Sequence, residues 1–420
     1  MSGNTSRESS IVPASERALA RTSSLLAERG LALVEELALP KIVRESEFCV
    51  ITPDNVGQLR ELARWEPGYP VTAWQVGFSP DARRLAVIVR WARKLGGKVV
   101  GGKRQAFFDI ECDSGIHLAA LAHGSLGPLS ERDVDMVAFA PGGHLLALAG
   151  YNGGVWVGGW EEDQGLRLVG ELEPRARGRC IMVHAVGFYD DETLVLACGD
   201  QLQWWNVRRR SRTRGGPFKV LDLDYDSAVP WPVSMAFSPN ARVVAACLLD
   251  RTVHVWRTRD GARLASLGRL GPDQLHGELG HACAANGVMA FSRDGNQFAL
   301  GCQDGTVLVL SDLEQRGRLQ EAASVADLQG PEVGYTGRRC LDGVRSLVRS
   351  LAFSPDGRTL VAACERGSCI AWAVPSGDML GNLPLNLDSN CLAFSPDGRL
   401  LAIGLAFWGG AGLWGVTAAP

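Results

Sequence analysis

The chain has 420 residues, of which 43 are basic and 46 acidic, so its formal charge at pH 7 is −3. With 46% hydrophobic and 21% charged residues it has the composition of a folded globular protein, which excludes an intrinsically disordered or collagen-like chain. No run reaches the roughly 18 consecutive apolar residues of a membrane-spanning helix, and the negative charge argues against nucleic-acid binding through overall charge. We therefore expect a cytoplasmic protein without membrane contact.

Residues 1–46 are predicted to form an N-terminal extension. Ser2–Ser10 is polar and is expected to be disordered, whereas Ser15 can cap a helix that ends at Pro40. The helix carries leucines at heptad spacing, Leu19, Leu26 and Leu33. Two roles are compatible with this pattern: an arm that packs on the main domain, or a helix that docks into the groove of a partner.

The segment 58–65 alternates apolar and polar residues, as a half-exposed edge strand does. It precedes a repeat that governs the rest of the chain. Each repeat has an apolar strand ending in Phe, a turn rich in Ser, Pro, Asp and Gly, and a second apolar strand. The seven Phe anchors lie 41 to 62 residues apart, at Phe78, Phe139, Phe188, Phe237, Phe291, Phe353 and Phe394.

A third and a fourth strand are predicted after this pair. The third strand contains a bulky apolar residue 17 to 20 positions after the anchor, at Trp156, Trp205, Trp256, Leu310, Trp372 and Trp414. Four short antiparallel strands per unit, repeated around a ring, are the signature of a β-propeller. The last repeat stops before a fourth strand, and we expect 58–65 to supply it and close the ring.

These repeats resemble those of the WD-repeat β-propeller family from about Val50 to Thr417. The resemblance rests on the phrase Ala-Phe-Ser-Pro-Asp-Gly-Arg, which begins at Ala352 and again at Ala393. It also rests on the turn Asp304–Val307 and the strand Thr252–Trp256. The resemblance implies a rigid propeller that presents surfaces to other molecules.

The sequence departs from the family pattern in two places. The Trp-Asp pair that names the family is present only as Phe108-Asp109 and, loosely, Trp160-Glu161, and the Gly-His ahead of the first strand only as Gly280-His281.

We predict an all-β fold with a short helical N-terminal extension. Its main domain, 47–420, is a seven-bladed β-propeller of four-stranded antiparallel blades, closed by strand 58–65.

The predicted function follows from the two broad loop faces of a propeller, which are rigid and on which partners can dock. We expect a non-catalytic platform or scaffold for protein–protein interaction. One alternative is a propeller enzyme, hydrolase-like, with its site in a central pocket. A second alternative is nucleic-acid binding through one basic face. The sequence fixes neither the identity of the partner nor the oligomeric state.

No residues are assigned to catalysis, and we expect neither a metal nor another cofactor. His276, His281 and Cys283 could supply three metal ligands, but His281 has a structural role by the resemblance, as the Gly-His histidine. Gly97–Arg104 resembles a phosphate-binding loop but lacks its final Ser or Thr and the helix that should follow. Four cysteines share one position of the repeat, which favours packing over disulfides or metal binding. They are Cys198, Cys247, Cys302 and Cys364.

Two basic runs are candidates for partner binding. The first, 90–104, contains no acidic residue and falls between the second and third strands of the first blade, whereas 206–219 falls between the third and fourth strands of the third blade. Since strands alternate in direction, the two runs are predicted on opposite faces, and one nucleic acid could not contact both. Three arginines between the second and third blades share the face of the first run. The predicted binding residues for an acidic protein segment are Arg90, Arg93, Lys94, Lys98, Lys103, Arg104, Arg175, Arg177 and Arg179. The alternative is that these residues form a solvated surface of an Arg-rich protein.

Overall fold

The computed structural model describes most of the chain from Phe48 to Thr417, with gaps. The described ranges are 48–66, 71–95, 98–111, 117–120, 134–161, 165–176, 179–180, 182–207, 217, 219–223, 232–248, 252–267, 289–301, 307–311, 313, 338–341, 347–383, 388–406 and 410–417. The predicted helical extension, 1–46, lies outside them. None of the helices within these ranges is long or apolar enough to cross a bilayer.

The described residues form antiparallel β-sheets and two single-turn 3-10 helices, Val56–Gln58 and Glu365–Gly367. The strand Val243–Leu248 illustrates why the chain becomes sheet. Its run Val-Val-Ala-Ala-Cys-Leu is buried at every position but Cys247, because sheets packed against neighbours on both faces need apolar residues throughout. The alanines leave room for close approach of the next sheet.

Six sheets have four consecutive antiparallel strands each, and we number them as blades 1 to 6. Two strands precede them, β1 (Phe48–Cys49) and β2 (Arg60–Trp65). Blade 1 contains β3 (Val71–Phe78), β4 (Arg84–Leu95), β5 (Lys98–Glu111) and β6 (His117–Ala120). Blade 2 contains β7 (Met136–Phe139), β8 (Leu145–Ala149), β9 (Val155–Glu161) and β10 (Gly165–Leu172), and a small hairpin follows it, β11 (Arg175–Ala176) and β12 (Arg179–Cys180).

The remaining four-stranded blades repeat this order. Blade 3 contains β13 (Ala185–Phe188), β14 (Thr193–Cys198), β15 (Gln201–Asn206) and β16 (Lys219–Asp222). Blade 4 contains β17 (Pro232–Phe237), β18 (Val243–Leu248), β19 (Val253–Arg257) and β20 (Arg263–Leu267). Blade 5 contains β21 (Met289–Phe291), β22 (Phe298–Gly301), β23 (Val307–Leu310) and β24 (Arg338–Leu341). Blade 6 contains β25 (Val348–Phe353), β26 (Thr359–Cys364), β27 (Cys369–Ala373) and β28 (Met379–Asn382).

The last sheet joins the two ends of the described chain and differs from the others. It contains β29 (Ser389–Phe394), β30 (Leu400–Leu405) and β31 (Ala411–Thr417). The outer side of β31 pairs with β1 at Val416 and Thr417 and with β2 between Ala411 and Gly415. The sheet therefore has five strands, and the prediction of seven four-stranded blades is wrong: the structure has six. The outer position of this sheet is divided between two short segments, which a count of Phe anchors does not reveal.

The inner strands of the sheets follow one another around a ring. Each Phe anchor is the last residue of the first strand of its sheet, from Phe78 in β3 to Phe394 in β29. Neighbouring first strands contact each other in chain order, and β29 also contacts β3. The apolar core lies between adjacent sheets. Trp256 of blade 4, for example, is 1% exposed and packs among buried side chains of blade 3.

In five of the seven repeats the turn after the anchor is fixed by a serine that pairs with an Asp or Asn two residues later. The hydroxyl of Ser354 donates to Asp356 at 2.5 Å and accepts the backbone N–H of Thr359 at 2.9 Å. The next position has positive φ, which Gly357 adopts without strain. Equivalent serine pairs occur at Ser79, Ser238, Ser292 and Ser395.

Candidate functional site

Strand alternation gives the ring two faces. The connection face carries the turns between second and third strands and the links from blade to blade, for example Gly150–Gly154 and 182–184. The turn face carries the turns between first and second strands and between third and fourth strands, for example 80–83 and 258–262.

The first basic run forms part of a long hairpin on the connection face. The sequence predicts a loop insertion at 94–105, but β4 and β5 pair continuously from Arg84 opposite Asp109 to Leu95 opposite Lys98. Arg90, Arg93 and Lys94 lie on β4, and Lys98, Lys103 and Arg104 lie on β5. Continuous pairing extends the hairpin beyond the ordinary length of a blade strand. All six basic positions thus belong to one β-ribbon. The helix that a phosphate-binding loop requires after Gly97–Arg104 is replaced by strand β5.

Two of the three remaining predicted residues lie on the link from blade 2 to blade 3. Arg175 and Arg179 belong to β11 and β12, and Arg177 falls outside the described residues. Arg175 is well exposed and forms an exposed ion pair with Glu173 at 2.9 Å. The amide of Gln203 in blade 3 donates to the carbonyl oxygen of Arg175 at 3.0 Å, which holds this hairpin on the connection face.

Arg90 has partners within the protein. Its Nη2 atom lies 3.1 Å from Oδ1 of Asp135, and its guanidinium stacks on Trp74 at 3.5 Å from the ring centroid. The Asp135 side chain is 1% exposed, whereas that of Arg90 is 31% exposed. The pair therefore joins blade 1 to the start of blade 2 in a partly dry environment, where such contacts are stronger than on the open surface.

This contact extends to blade 3. Oδ2 of Asp135 accepts the backbone N–H of Tyr151 at 3.0 Å, and the ring of Tyr151 meets that of His184 edge-on at 5.8 Å. We call Trp74, Arg90, Asp135, Tyr151 and His184 the central rim. It crosses three blades at the base of the basic hairpin.

His184 is a buried titratable group of the central rim, with 4% exposure. Burial lowers the pKa of its imidazole to about 4, so the ring is neutral at physiological pH. Its backbone N–H donates to Ala197 at 2.8 Å, as that of Asp135 does to Ala149 at 2.9 Å. The two residues therefore occupy equivalent places in neighbouring blades.

The central rim was missed in the sequence although the repeat contains a signal for it. Trp74, Asp135 and His184 each precede an anchor by four residues, as Arg349 does in blade 6. Arg90 and Tyr151 follow their anchors by twelve residues, as Glu365 does. Arg349 pairs with Glu365 at 3.0 Å, so the same two repeat positions are in contact again. An alignment of the repeats would have marked these positions.

The remaining candidates from the sequence are the histidines and cysteines considered for metal binding or packing. His276, His281, Cys283 and Cys302 lie outside the described residues. Cys198 and Cys364 are buried, Cys247 is partly exposed, and no disulfide joins the cysteines that the structure describes. Within the described ranges no three His, Cys, Asp or Glu side chains are grouped as metal ligands would be.

Comparisons with known proteins agree with the repeat. A family model described as "WD domain, G-beta repeat" matches residues 227–257 and 338–373. The chain is 29% identical over 225 residues to a "Guanine nucleotide-binding protein subunit beta" of Arabidopsis thaliana and 29% identical over 224 residues to that of Zea mays. It is 30% identical over 230 residues to that of Oryza sativa subsp. indica. Each alignment covers 51% of this chain and 51% of the relative, so the chain spans about half the length of the curated relatives it matches.

Proposed function

Because this chain is a WD-repeat β-propeller protein, we propose that it is a non-catalytic scaffold that binds other proteins through the connection face. The observation that carries the proposal is the paired β4–β5 hairpin, whose positions 90–104 include six basic residues and no acidic one. The relatives support an assembly role, since their names describe them as subunits of a larger protein.

The partner chemistry that fits this face is an acidic protein segment. Like charges concentrated on one ribbon raise the association rate of an oppositely charged segment and lose strength as salt screens them. Arg90 contributes differently from the other basic residues, because its guanidinium is already held by Asp135 and Trp74. We therefore assign the contact with the partner to Arg93, Lys94, Lys98, Lys103 and Arg104, with Arg175, Arg177 and Arg179 at its edge.

We also propose that residues 47–420 form one closed domain, with 1–46 as a separate extension. Pairing of β1 and β2 with β31 supports this organisation, as does contact of β29 with both β25 and β3. We further propose a cytoplasmic location, a compartment in which thiols stay reduced.

The test replaces charges on the hairpin and measures binding of a defined acidic probe. The probe is a fluorescein-labelled peptide of alternating Glu and Gly residues, and binding is followed by fluorescence anisotropy at low and high salt. The triple variant Arg93→Ser, Lys94→Ser, Lys98→Ser is expected to bind roughly tenfold more weakly, with a shallower salt dependence. Its melting temperature should stay within about 2 °C of the original, because surface charges contribute little to stability.

A second triple variant serves as the matched control. Arg83, Arg358 and Arg399 all follow an anchor by five residues and lie on the turn face. Their replacement by Ser removes the same charge and should leave peptide binding unchanged. Equal weakening by both triples would refute the assignment of the connection face. Tighter binding of polyuridylate than of the acidic peptide would favour a nucleic-acid partner instead.

A further inference from the structure

A cavity on the turn face, between blades 3 and 4, is lined by three arginines. Its volume is about 280 Å³. The lining residues are Tyr189, Arg242, Val243, Arg257, Thr258, Arg259 and Leu264. The cavity lies on the opposite side of the ring from the β4–β5 hairpin, so it does not depend on the function proposed above.

The backbone fixes the arginines relative to one another. The N–H of Thr258 donates to the carbonyl oxygen of Arg242 at 2.9 Å, and its buried hydroxyl donates to that of Ala241 at 2.8 Å. Thr258 stands between Arg257 and Arg259 in the chain, so these two bonds tie both of them to Arg242. Such preorganisation lowers the entropic cost of binding a ligand.

The turn that carries Arg257 and Arg259 is also held against blade 3. A Cβ added to Gly261 would lie 2.8 Å from Cδ2 of Leu221, which shows how closely the turn approaches β16. Lys219 of β16 donates from Nζ to the carbonyl oxygen of Arg259 at 2.6 Å. The same ammonium lies 4.3 Å from the ring centroid of Trp204. Both walls of the cavity are therefore positioned by contacts between blades.

The cavity has an excess of positive charge. Asp260 contacts Arg257, with 3.0 Å between Nη2 and Oδ2, and lies 3.4 Å from Nε of Arg259. One carboxylate thus contacts two of the three guanidinium groups that line the cavity, and these four groups together carry a charge of about +2 before the nearby Lys219 is counted. Arg259 is 66% exposed and Arg242 is exposed, so both can reach a ligand from solvent.

The aspartates that follow Tyr189 in the chain make their hydrogen bonds to backbone N–H groups outside the cavity wall. Asp190 accepts the backbone N–H groups of Glu192 and Thr193 within its own turn. Asp191 accepts the N–H of Gly142 in blade 2 at 2.6 Å, on the side away from blade 4. Glu192 is not among the residues that line the cavity.

We propose that this cavity binds the phosphate monoester group of a phosphorylated protein segment. A phosphate monoester carries a charge of −1.5 to −2 at pH 7 and three acceptor oxygens, which matches the excess charge of the cavity. The planar forks of Arg242 and Arg259 suit bidentate contact with such a group. A carboxylate would neutralise only part of the charge. Val243, Leu264 and the ring of Tyr189 provide apolar contact for the carbon atoms that bear the phosphate.

Blade 6 offers a natural comparison on the same face. Arg358 occupies the repeat position of Arg242, and its carbonyl oxygen accepts the N–H of Val374 at 2.8 Å in the same way. The positions equivalent to Arg257 and Arg259 are Ala373 and Pro375. Arg358 therefore has the same local backbone without the two further arginines.

The experiment is a calorimetric titration of the full chain with phenyl phosphate, with benzoate as a probe of similar size and lower charge. We expect phenyl phosphate to bind roughly tenfold more tightly than benzoate. The double variant Arg242→Gln, Arg259→Gln should lose at least about tenfold in phosphate affinity, whereas Arg358→Gln should retain it. Melting curves check that each variant is folded, and Arg259→Gln alone replaces the double variant if the latter is not.

Three results would overturn the proposal: equal affinity for phenyl phosphate and benzoate, unchanged phosphate affinity in the folded variants, or an equal loss in Arg358→Gln. None of them would affect the acidic-peptide test on the connection face, because that test uses other residues and another probe.

Discussion

The imidazole of His184 links the stability of the central rim to pH. Its pKa is about 4 in the folded protein, against an ordinary value of 6.5, because burial disfavours the charged form. Between these two values the unfolded chain binds a proton that the folded chain does not. The contribution of His184 to the free energy of unfolding should therefore be fully present above pH 6.5. It should fall by up to ~3 kcal/mol as the pH drops to 4.

Urea unfolding at pH 7 and pH 4.5, with His184→Gln as the comparison, measures this contribution. Carboxylates also titrate in this range, and the glutamine variant shares them, so the difference between the two pH dependences isolates the imidazole. The variant should lose less stability on acidification than the original protein. Parallel curves for the two proteins would show that His184 is protonated without cost in the fold.

The pairing of Arg90 within the central rim could not be predicted from charge composition, for a physical reason. The basic run identifies Arg90 as a charged residue, but its partner Asp135 is 45 positions away, and only the packing of blade 2 against blade 1 brings them together. Charge composition therefore gives Arg90 as a candidate contact and cannot show that it is already paired. Repeat position is the better guide, because it marks Trp74, Asp135 and His184 as equivalent.

At the scale of elements, close approach of neighbouring sheets limits side-chain size within the strands. A Cβ added to Gly404 in β30 would overlap Sγ of Cys391 and lie 2.7 Å from Cβ of Ala73 in blade 1. Gly404→Ala should therefore lower the free energy of unfolding by about 1–3 kcal/mol, as overpacking does. Gly170 in β10 has open space around the same position, so Gly170→Ala should be neutral or slightly stabilising. Chemical denaturation measures both, and equal effects would argue against tight contact between the last sheet and blade 1.

The strands themselves were largely predictable, whereas the length of one hairpin was not. An apolar run that ends in Phe and continues into a Ser-Pro-Asp-Gly turn specifies both a strand and its antiparallel return. Positions 94–105 contain four glycines and four basic residues, and this composition predicts a loop. Pairing with the opposite strand overrides that local preference, since β4 and β5 pair without interruption along their common length. Cross-strand pairing depends on both strands together, so neither segment alone reveals it.

At the scale of the whole molecule, the ring depends on contacts between the most distant parts of the described chain. Seven anchors correctly place the first strands, yet they predict seven equal blades where six are four-stranded. The difference arises at β31, whose outer edge is covered by β1 and β2 in succession. Anchor counting cannot detect this division, because neither segment carries the repeat phrase. In the other blades the fourth strand follows the third within the same repeat.

Ring closure can be tested by removing residues from the N-terminus. Deletion through Pro40 leaves β1 and β2 in place and should preserve the melting temperature. Deletion through Trp65 removes both strands and exposes the edge of β31. It also uncovers the buried side chains that pack against Ala63 and Trp65 in the core of the last sheet. The sheets are linked in a ring, so loss of one edge should weaken the contacts of β31 with β30 and then those of β29 with β3. The longer deletion should therefore melt at least about 5 °C lower, in a single transition followed by circular dichroism. If it melts like the shorter deletion, the pairing of β2 with β31 does not hold the ring together.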